Sequence, residues 1–123
     1  MDNIELVLNK LRKLDKVEAI ILFGSQVTGR ARKDSDIDIA VVLKDNYTGD
    51  EYFEVRGFSD EFIDVNVFNR LPLMIQFRVI RDGKILYFKD KKVVHKIKTT
   101  VLRKYLDFQP YINRFYKRII NNV

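Results

Sequence analysis

Cysteine and tryptophan are absent from this 123-residue sequence, and histidine occurs once, at His95. Without cysteine the chain has no disulfide framework, no thiolate nucleophile and no cysteine-ligated zinc site. A single histidine cannot supply the several imidazole ligands of a histidine metal centre. Any metal that this chain binds is therefore held by oxygen ligands, which favours magnesium, manganese or calcium.

Long apolar segments are missing as well. No run approaches the roughly 18 apolar residues that predict a membrane-spanning helix. The N-terminal segment MDNIELVLNKLRKLDK is charged and amphipathic, unlike a signal peptide. These features predict a cytoplasmic protein without a membrane partner. The hydrophobic fraction of 46% is ordinary for a globular protein, and we expect one domain over residues 1–123.

The charge balance is basic, with 23 lysines and arginines against 17 acidic residues and a net charge of +6. This excess is compatible with a polyanionic partner, but many small basic proteins are merely soluble. Direct nucleic-acid binding is therefore not expected from charge alone.

Hydrophobic periodicity predicts an α/β (α+β) fold, with a small mixed β-sheet flanked by helices and a C-terminal helical tail. The core covers about residues 1–89 and the tail about 90–123, in which Pro110 is expected to separate two helices. Helices are predicted over 4–14, 51–61, 72–80 and the tail, and strands over 17–23, 37–43, 62–68 and 85–88.

The segment FGSQVTGRARKDSDIDIAVV, residues 23–42, carries the most chemical information. Gly24-Ser25 follows one predicted strand, and ten residues later Asp36-Ile37-Asp38 opens the next. Side chains two apart in a strand share a face, with Cα atoms roughly 6–7 Å apart. Two such carboxylates suit a pair of divalent ions that polarise a phosphoryl group. An isolated Asp-x-Asp pair is, however, more commonly a solvated feature.

Asp64 is a third candidate, because it lies in a predicted strand between apolar neighbours. An adjacent strand would bring it beside Asp36 and Asp38 on the same sheet face, where it would complete a metal ligand set. It would also orient or deprotonate an attacking hydroxyl. Alone, Asp64 is equally well an exposed carboxylate, whereas the three acids together favour a metal and phosphate site.

Gly24 and Ser25 are candidate nucleotide-binding residues. Glycine allows a tight turn and close approach of the backbone to a ligand, and a helix beginning after it directs N–H groups at phosphate oxygens. The Ser25 hydroxyl can donate to the same oxygens. Arg30, Arg32 and Lys33 could neutralise a triphosphate, although each of them taken alone is more simply a solvated loop cation.

The spacing of Gly-Ser, ten residues and Asp-x-Asp resembles the signature of the polymerase-β-like nucleotidyltransferases, and DSDIDI at 34–39 resembles their minimal members. The segments LPLMIQFRVIRDGKILYFKD and LRKYLDFQPYINRFYKR resemble the MntA-type antitoxins, which pair with HEPN-domain toxins. The resemblance covers nearly the whole chain.

This resemblance implies an activity as well as a fold. Family members transfer AMP from ATP to a hydroxyl with release of pyrophosphate, and in the MntA-type branch the acceptor is a tyrosine of the HEPN RNase toxin. Gly24 and Ser25 would then bind the triphosphate. Asp36, Asp38 and Asp64 would be the catalytic carboxylates and would hold two Mg²⁺ ions, with Mn²⁺ as the alternative. ATP is the implied substrate, and a hetero-oligomer with the toxin is the implied assembly.

Two other functions stay open at this point. An antitoxin could act by direct binding without catalysis, through an aromatic and basic tail that suits a protein interface. A nucleotidyltransferase could instead modify a small molecule or RNA, although the chain is short for a second substrate domain.

Overall fold

Residues 3–25 and 36–121 are described by the computed structural model, and within them four strands form one mixed sheet. The elements in chain order are α1 (Asn3–Arg12), β1 (Val17–Phe23), β2 (Ile37–Leu43), α2 (Gly49–Arg56), β3 (Ile63–Val67), a 3-10 helix (Phe68–Arg70), α3 (Leu73–Asp82), β4 (Lys84–Phe88) and α4 (Lys91–Asn121). The predicted fold class is confirmed, a mixed sheet with flanking helices and a helical C-terminal segment.

The strand order is β3-β2-β1-β4. β1 pairs antiparallel with both β2 and β4, whereas β2 and β3 run parallel. As a result β1 ends at the same side of the sheet where the other three strands begin. β4 therefore lies at one edge of the sheet and β3 at the other.

Helices cover both faces of the sheet. On the α1/α2 face, Val7, Leu11 and Val55 pack against the sheet, and on the α3/α4 face Val79 and Val101 do so. β2 lies inside the sheet and is apolar on both faces from Ile39 to Leu43, as expected for a central strand. Among the described residues no helix is long and apolar enough to cross a membrane.

Several predicted element boundaries are wrong. The helix predicted over 51–61 ends at Arg56, because Gly57 caps it and the chain then turns into β3. The strand predicted over 62–68 covers only Ile63–Val67, since a 3-10 helix follows directly. The helices predicted over 4–14 and 72–80 cover Asn3–Arg12 and Leu73–Asp82 instead.

The prediction that Pro110 separates two helices is also wrong, because α4 continues through it from Lys91 to Asn121. Proline removes one helical hydrogen bond and crowds the carbonyl of residue i−4, here Leu106. Leu106 and Pro110 are both exposed, so water can hydrate the freed carbonyl. The apolar residues of α4 continue past Pro110 on the opposite face of the helix.

Candidate active site

Gly24 forms the turn at the end of β1 and lies against Asp38. Its φ of +80° is the left-handed region, and it is the one residue with positive φ within 3–25 and 36–121. A Cβ at this position would lie 2.5 Å from Oδ2 of Asp38. The backbone conformation favours glycine here, and any larger residue would push the Asp38 carboxylate aside. Phe23 is in register with Asp38 on the adjacent strand, which explains the contact.

Asp38 and Asp64 are direct neighbours in the parallel pairing of β2 with β3, on strands about 4.8 Å apart. Ala40 and Val42 pack on the α3/α4 face, so the alternation of side chains places Asp38 on that face as well. Asp64 and Asn66, in register with Asp38 and Ala40, share it. The parallel register of β2 and β3 therefore brings these two carboxylates together, as predicted.

The surroundings of Asp38 disfavour its charged form. Partial burial raises the pKa of the Asp38 carboxyl above its ordinary 3.8, and the negative charges of Asp64 and Asp36 raise that pKa further. Asp36 lies immediately before β2 and is exposed. The three acids thus form one electrostatic cluster in which adding positive charge would relieve repulsion.

Asp64 has protein partners of its own. Arg56 Nη1 lies 3.6 Å from Asp64 Oδ1, and Asn66 Nδ2 donates to Asp64 Oδ2 at 3.2 Å. Arg56 Nη1 also donates to the carbonyl of Val65 at 2.9 Å, so that it binds the outer edge of β3. Sequence reasoning missed Arg56 as a neighbour of the site. Its only signal was a cation at the end of the helix before the strand.

Phe62 is a second neighbour that sequence reasoning did not assign to the site. The N–H of Ile37 donates to the carbonyl of Phe62 at 2.7 Å, which places Phe62 alongside the start of β2. The carboxylate of Asp60 accepts from the N–H groups of Phe62 and Ile63 at 2.7 and 2.8 Å. Phe62 is nevertheless 61% exposed. A firmly held backbone thus presents an accessible aromatic side chain near the acids.

The donor set suits magnesium, although no closed metal cage is formed. Within the described ranges, no group of three or more carboxylate, imidazole or thiol side chains is gathered so that it could hold one ion. Magnesium, however, is usually bound by one or two carboxylates together with substrate phosphates and water. The mutual repulsion at Asp38 and the oxygen-only chemistry of the cluster fit such a cation.

The remaining predicted site residues are placed only in part. Ser25 is helical and directly follows the Gly24 turn, which agrees with the expected helix start. Arg30 lies outside the described residues, as do Arg32 and Lys33.

Residues 5–92 match the family described as "Polymerase beta, Nucleotidyltransferase", which is well over half of the chain. The chain belongs to this nucleotidyltransferase family. The resemblance stated from its sequence motifs is therefore confirmed. The matched range includes all three carboxylates and the Gly24 turn.

Two curated relatives of this nucleotidyltransferase were found. The protein adenylyltransferase MntA of Aphanizomenon flos-aquae is 30% identical over 116 residues, which is 80% of this chain and 75% of that protein. A relative from Methanocaldococcus jannaschii is 35% identical over 74 residues, 60% of this chain. That alignment spans 58% of the archaeal relative, under two thirds of its length.

A solved complex shares the fold. The structure described as tri-AMPylated Shewanella oneidensis HEPN toxin in complex with MNT antitoxin contains a chain that superposes with a TM-score of 0.69. The superposition covers 94% of this nucleotidyltransferase and 98% of that chain at 21% sequence identity. The likeness extends through the C-terminal helix and so supports the fold over nearly the whole length.

Proposed function

We propose that this nucleotidyltransferase is an antitoxin that transfers AMP from ATP to a tyrosine hydroxyl of a partner HEPN RNase toxin. The observation that carries the proposal is the alignment of Asp38 with Asp64, directly beside the Gly24 turn. The adenylyltransferase relative and the AMPylated toxin in the Shewanella complex support both the reaction and the acceptor.

Each side chain has a role that follows from its place. Gly24 brings backbone close to the carboxylates, and Ser25 at the helix start donates to the triphosphate. Asp36 and Asp38 hold the cations. Asp64 accepts the proton of the attacking tyrosine hydroxyl or orients that hydroxyl. The hydroxyl oxygen bonds to the α-phosphorus of ATP, the bond to the β-phosphate oxygen breaks, and pyrophosphate leaves.

Magnesium is the proposed metal, in two ions, with manganese as the alternative. When bound, it would stabilise the entering and leaving oxygens of the transfer. Arg30 is proposed as a further contact to the triphosphate. Asp64 has to exchange its ion pair with Arg56 for a metal or a hydroxyl. Because both side chains are about half exposed, this pair is weak and the exchange costs little.

The test is co-expression with the product of the neighbouring gene, followed by measurement of the intact mass of that partner. The wild-type chain should add one or more AMP units, and a chelator in the purified reaction should abolish the transfer. Asp36→Asn and Asp38→Asn should each reduce transfer by at least about a hundredfold, because cation binding supports the transition-state charge. Transfer at the wild-type rate in both variants would refute the assigned site.

Asp45→Asn is the matched control for these variants. Asp45 is an exposed carboxylate past the opposite end of β2, so its removal should leave AMP transfer and ATP affinity unchanged. A comparable loss of AMP transfer in Asp45→Asn would show that removing a negative charge anywhere on the chain is sufficient to reduce transfer.

Neutralisation by direct binding is the second candidate function. The exposed apolar side chains of α4 favour it. It predicts that Asp38→Asn still suppresses the toxin in cells, without any mass increase on the toxin. Loss of suppression together with loss of AMP transfer supports catalysis instead.

The proposed function includes the cellular location and the domain organisation predicted from the sequence. We place the reaction in the cytoplasm, where ATP and the toxin's RNA substrates are both present. We also propose that residues 1–123 act as a single domain, with a core over about 1–89 and the helical segment over about 90–123.

A further inference from the structure

The two halves of α4 have different environments. In the first half, Val94, Ile97 and Val101 pack with α3 and the sheet. The ring of Tyr105 stacks on that of Phe77 with centroids 3.7 Å apart and planes within 5°. This stacking extends the packing of the first half of α4 against α3 as far as Tyr105.

The second half, residues 106–121, presents large apolar side chains to solvent. Each of them is between 46% and 64% exposed: Leu106, Phe108, Tyr111, Phe115, Tyr116, Ile119 and Ile120. Isolated exposed hydrophobic residues are ordinary on protein surfaces, whereas a contiguous set marks an interaction surface.

Three of these side chains, Phe108, Phe115 and Ile119, continue the buried stripe of the first half. Apolar residues recur at steps of three or four, in the order Val94, Ile97, Val101, Tyr105, Phe108, Ile112, Phe115 and Ile119. At about 3.6 residues per turn these positions lie on one side of the helix, and such spacing is typical of a seam that packs against another helix. We call its part in the second half of α4 the distal seam; it consists of the exposed Phe108, Phe115 and Ile119 and the partly buried Ile112.

The second half would be a poor helix on its own. Helices of fewer than about 12–15 residues are marginal in water even with favourable composition. This segment is only slightly longer and contains Pro110 in its interior, which is strongly unfavourable in a helix. Pro110, Arg114 and Lys117 lie on the side opposite the distal seam, at about 3.6 residues per turn. The seam side is therefore free of the proline ring and of these cations.

We propose that the distal seam docks against an apolar helix of the partner toxin, and that docking stabilises residues 106–121 as helix. The proposal rests on the proposed function, because it takes the toxin as occupant. It assigns recognition of the acceptor protein to a surface on α4 that is separate from the carboxylates Asp36, Asp38 and Asp64.

The charge of residues 106–121 favours the toxin, rather than a second copy of this chain, as the occupant of the distal seam. Residues 106–121 carry Arg114, Lys117 and Arg118 against the single acid Asp107. Two copies of the segment would bring like charges together, which weakens self-association. A toxin helix with an apolar stripe and acidic flanks fits the same surface without that repulsion.

The decisive measurement is calorimetry, without ATP, of the binding of the full-length chain to the purified toxin that it modifies in the co-expression test. The double variant Phe115→Gln with Ile119→Gln should weaken the Kd at least about tenfold, since buried apolar anchors dominate interfaces. The matched control, Asn113→Gln with Asn121→Gln, changes two exposed uncharged residues outside the distal seam and should bind within about twofold of wild type. Equal binding by the seam variant would overturn the proposal.

Amide hydrogen exchange tests the coupled ordering. Residues 106–121 should exchange fast in the free chain and slowly in the complex. Slow exchange in the free chain at monomer concentrations contradicts the proposal. A wild-type chain that is dimeric by light scattering, with a monomeric seam variant, would assign the seam to a second copy.

Failure of the docking proposal and failure of the proposed function give different results. If wild type binds through the seam but adds no AMP, the docking surface stands and the adenylyltransferase proposal fails. If wild type adds AMP and the seam variant does so with unchanged KM for toxin and for ATP, catalysis stands and the docking surface is wrong. A raised KM for toxin with an unchanged KM for ATP supports both.

Discussion

At the residue scale, Gly24 couples backbone conformation to the position of a candidate catalytic carboxylate. We expect Gly24→Ala to lower the free energy of unfolding by about 1–2 kcal/mol, the cost of a left-handed conformation for a residue with a Cβ. The new methyl group would also displace Asp38, whose Oδ2 lies 2.5 Å from its position. AMP transfer should therefore fall by more than about tenfold. Urea unfolding and AMP incorporation measure the two effects.

Gly49→Ala is the control for that substitution. Gly49 is the first residue of α2, and a Cβ there would meet no atom within 4 Å. Its replacement should leave transfer unchanged and stability equal or slightly higher, by up to about 1 kcal/mol. If both glycine variants behave alike, the close contact with Asp38 does not matter.

Asp38 should make stability depend on pH in an unusual direction for an aspartate. Its pKa is raised above 3.8 in the folded chain by burial and by Asp64 and Asp36. The folded state therefore keeps this proton to higher pH than the unfolded state, and the unfolding free energy falls as pH rises through that interval. In a chelating buffer, Asp38→Asn should be more stable than wild type at pH values above the interval. Thermal melts across pH measure this, with Asp45→Asn as the control.

At the element scale, Asn69 in the 3-10 helix completes the end of β2. Its Oδ1 accepts from the N–H of Leu43 and its Nδ2 donates to the carbonyl of Leu43, both at 2.9 Å. Leu43 is buried, so Asn69→Ala leaves two backbone groups unsatisfied. We expect the free energy of unfolding to fall by up to about 1–3 kcal/mol for each unsatisfied group. Urea unfolding measures this loss.

Asn46→Ala is the matched control, since the Asn46 side chain makes an exposed hydrogen bond with Lys16. Its removal should change stability by less than about 0.5 kcal/mol. A similar loss in both variants would mean that the amide of Asn69 contributes no more than a surface contact. Because Asn69 is at the opposite end of β2 from Asp38, AMP transfer by folded Asn69→Ala should be retained.

At this scale the sequence predicted whether a segment is a helix or a strand better than it predicted the first and last residue of that segment. The strand 17–23 was predicted with its observed bounds because a continuous apolar run ends in a glycine that adopts positive φ. The end of α2 at Arg56 was missed because α2 stops where the chain must turn to pair β3 with β2. Pro110 was misread because the effect of a proline depends on which side of the helix it occupies.

At the scale of the whole molecule, the packed core and the projecting half of α4 should be separable. A chain that ends at Asp107 keeps Val101 and the stacking of Tyr105 on Phe77. We expect it to unfold with nearly the free energy of the full chain, because residues 108–121 are outside both buried clusters. Binding to the toxin should be lost. A truncated chain that does not fold would show that the helix end supports the core.

Local patterns in the sequence determined which segments form helices and strands, because those patterns reflect side-chain and backbone preferences over a few residues. They also limited the metal chemistry, since a chain with no cysteine and one histidine must take nearly all its metal ligands from oxygen atoms. Only the tertiary structure decided that Asp38 faces Asp64, that Arg56 pairs with Asp64, and that α4 leaves half its seam exposed. These outcomes depend on strand register and packing between distant segments, which no local pattern specifies.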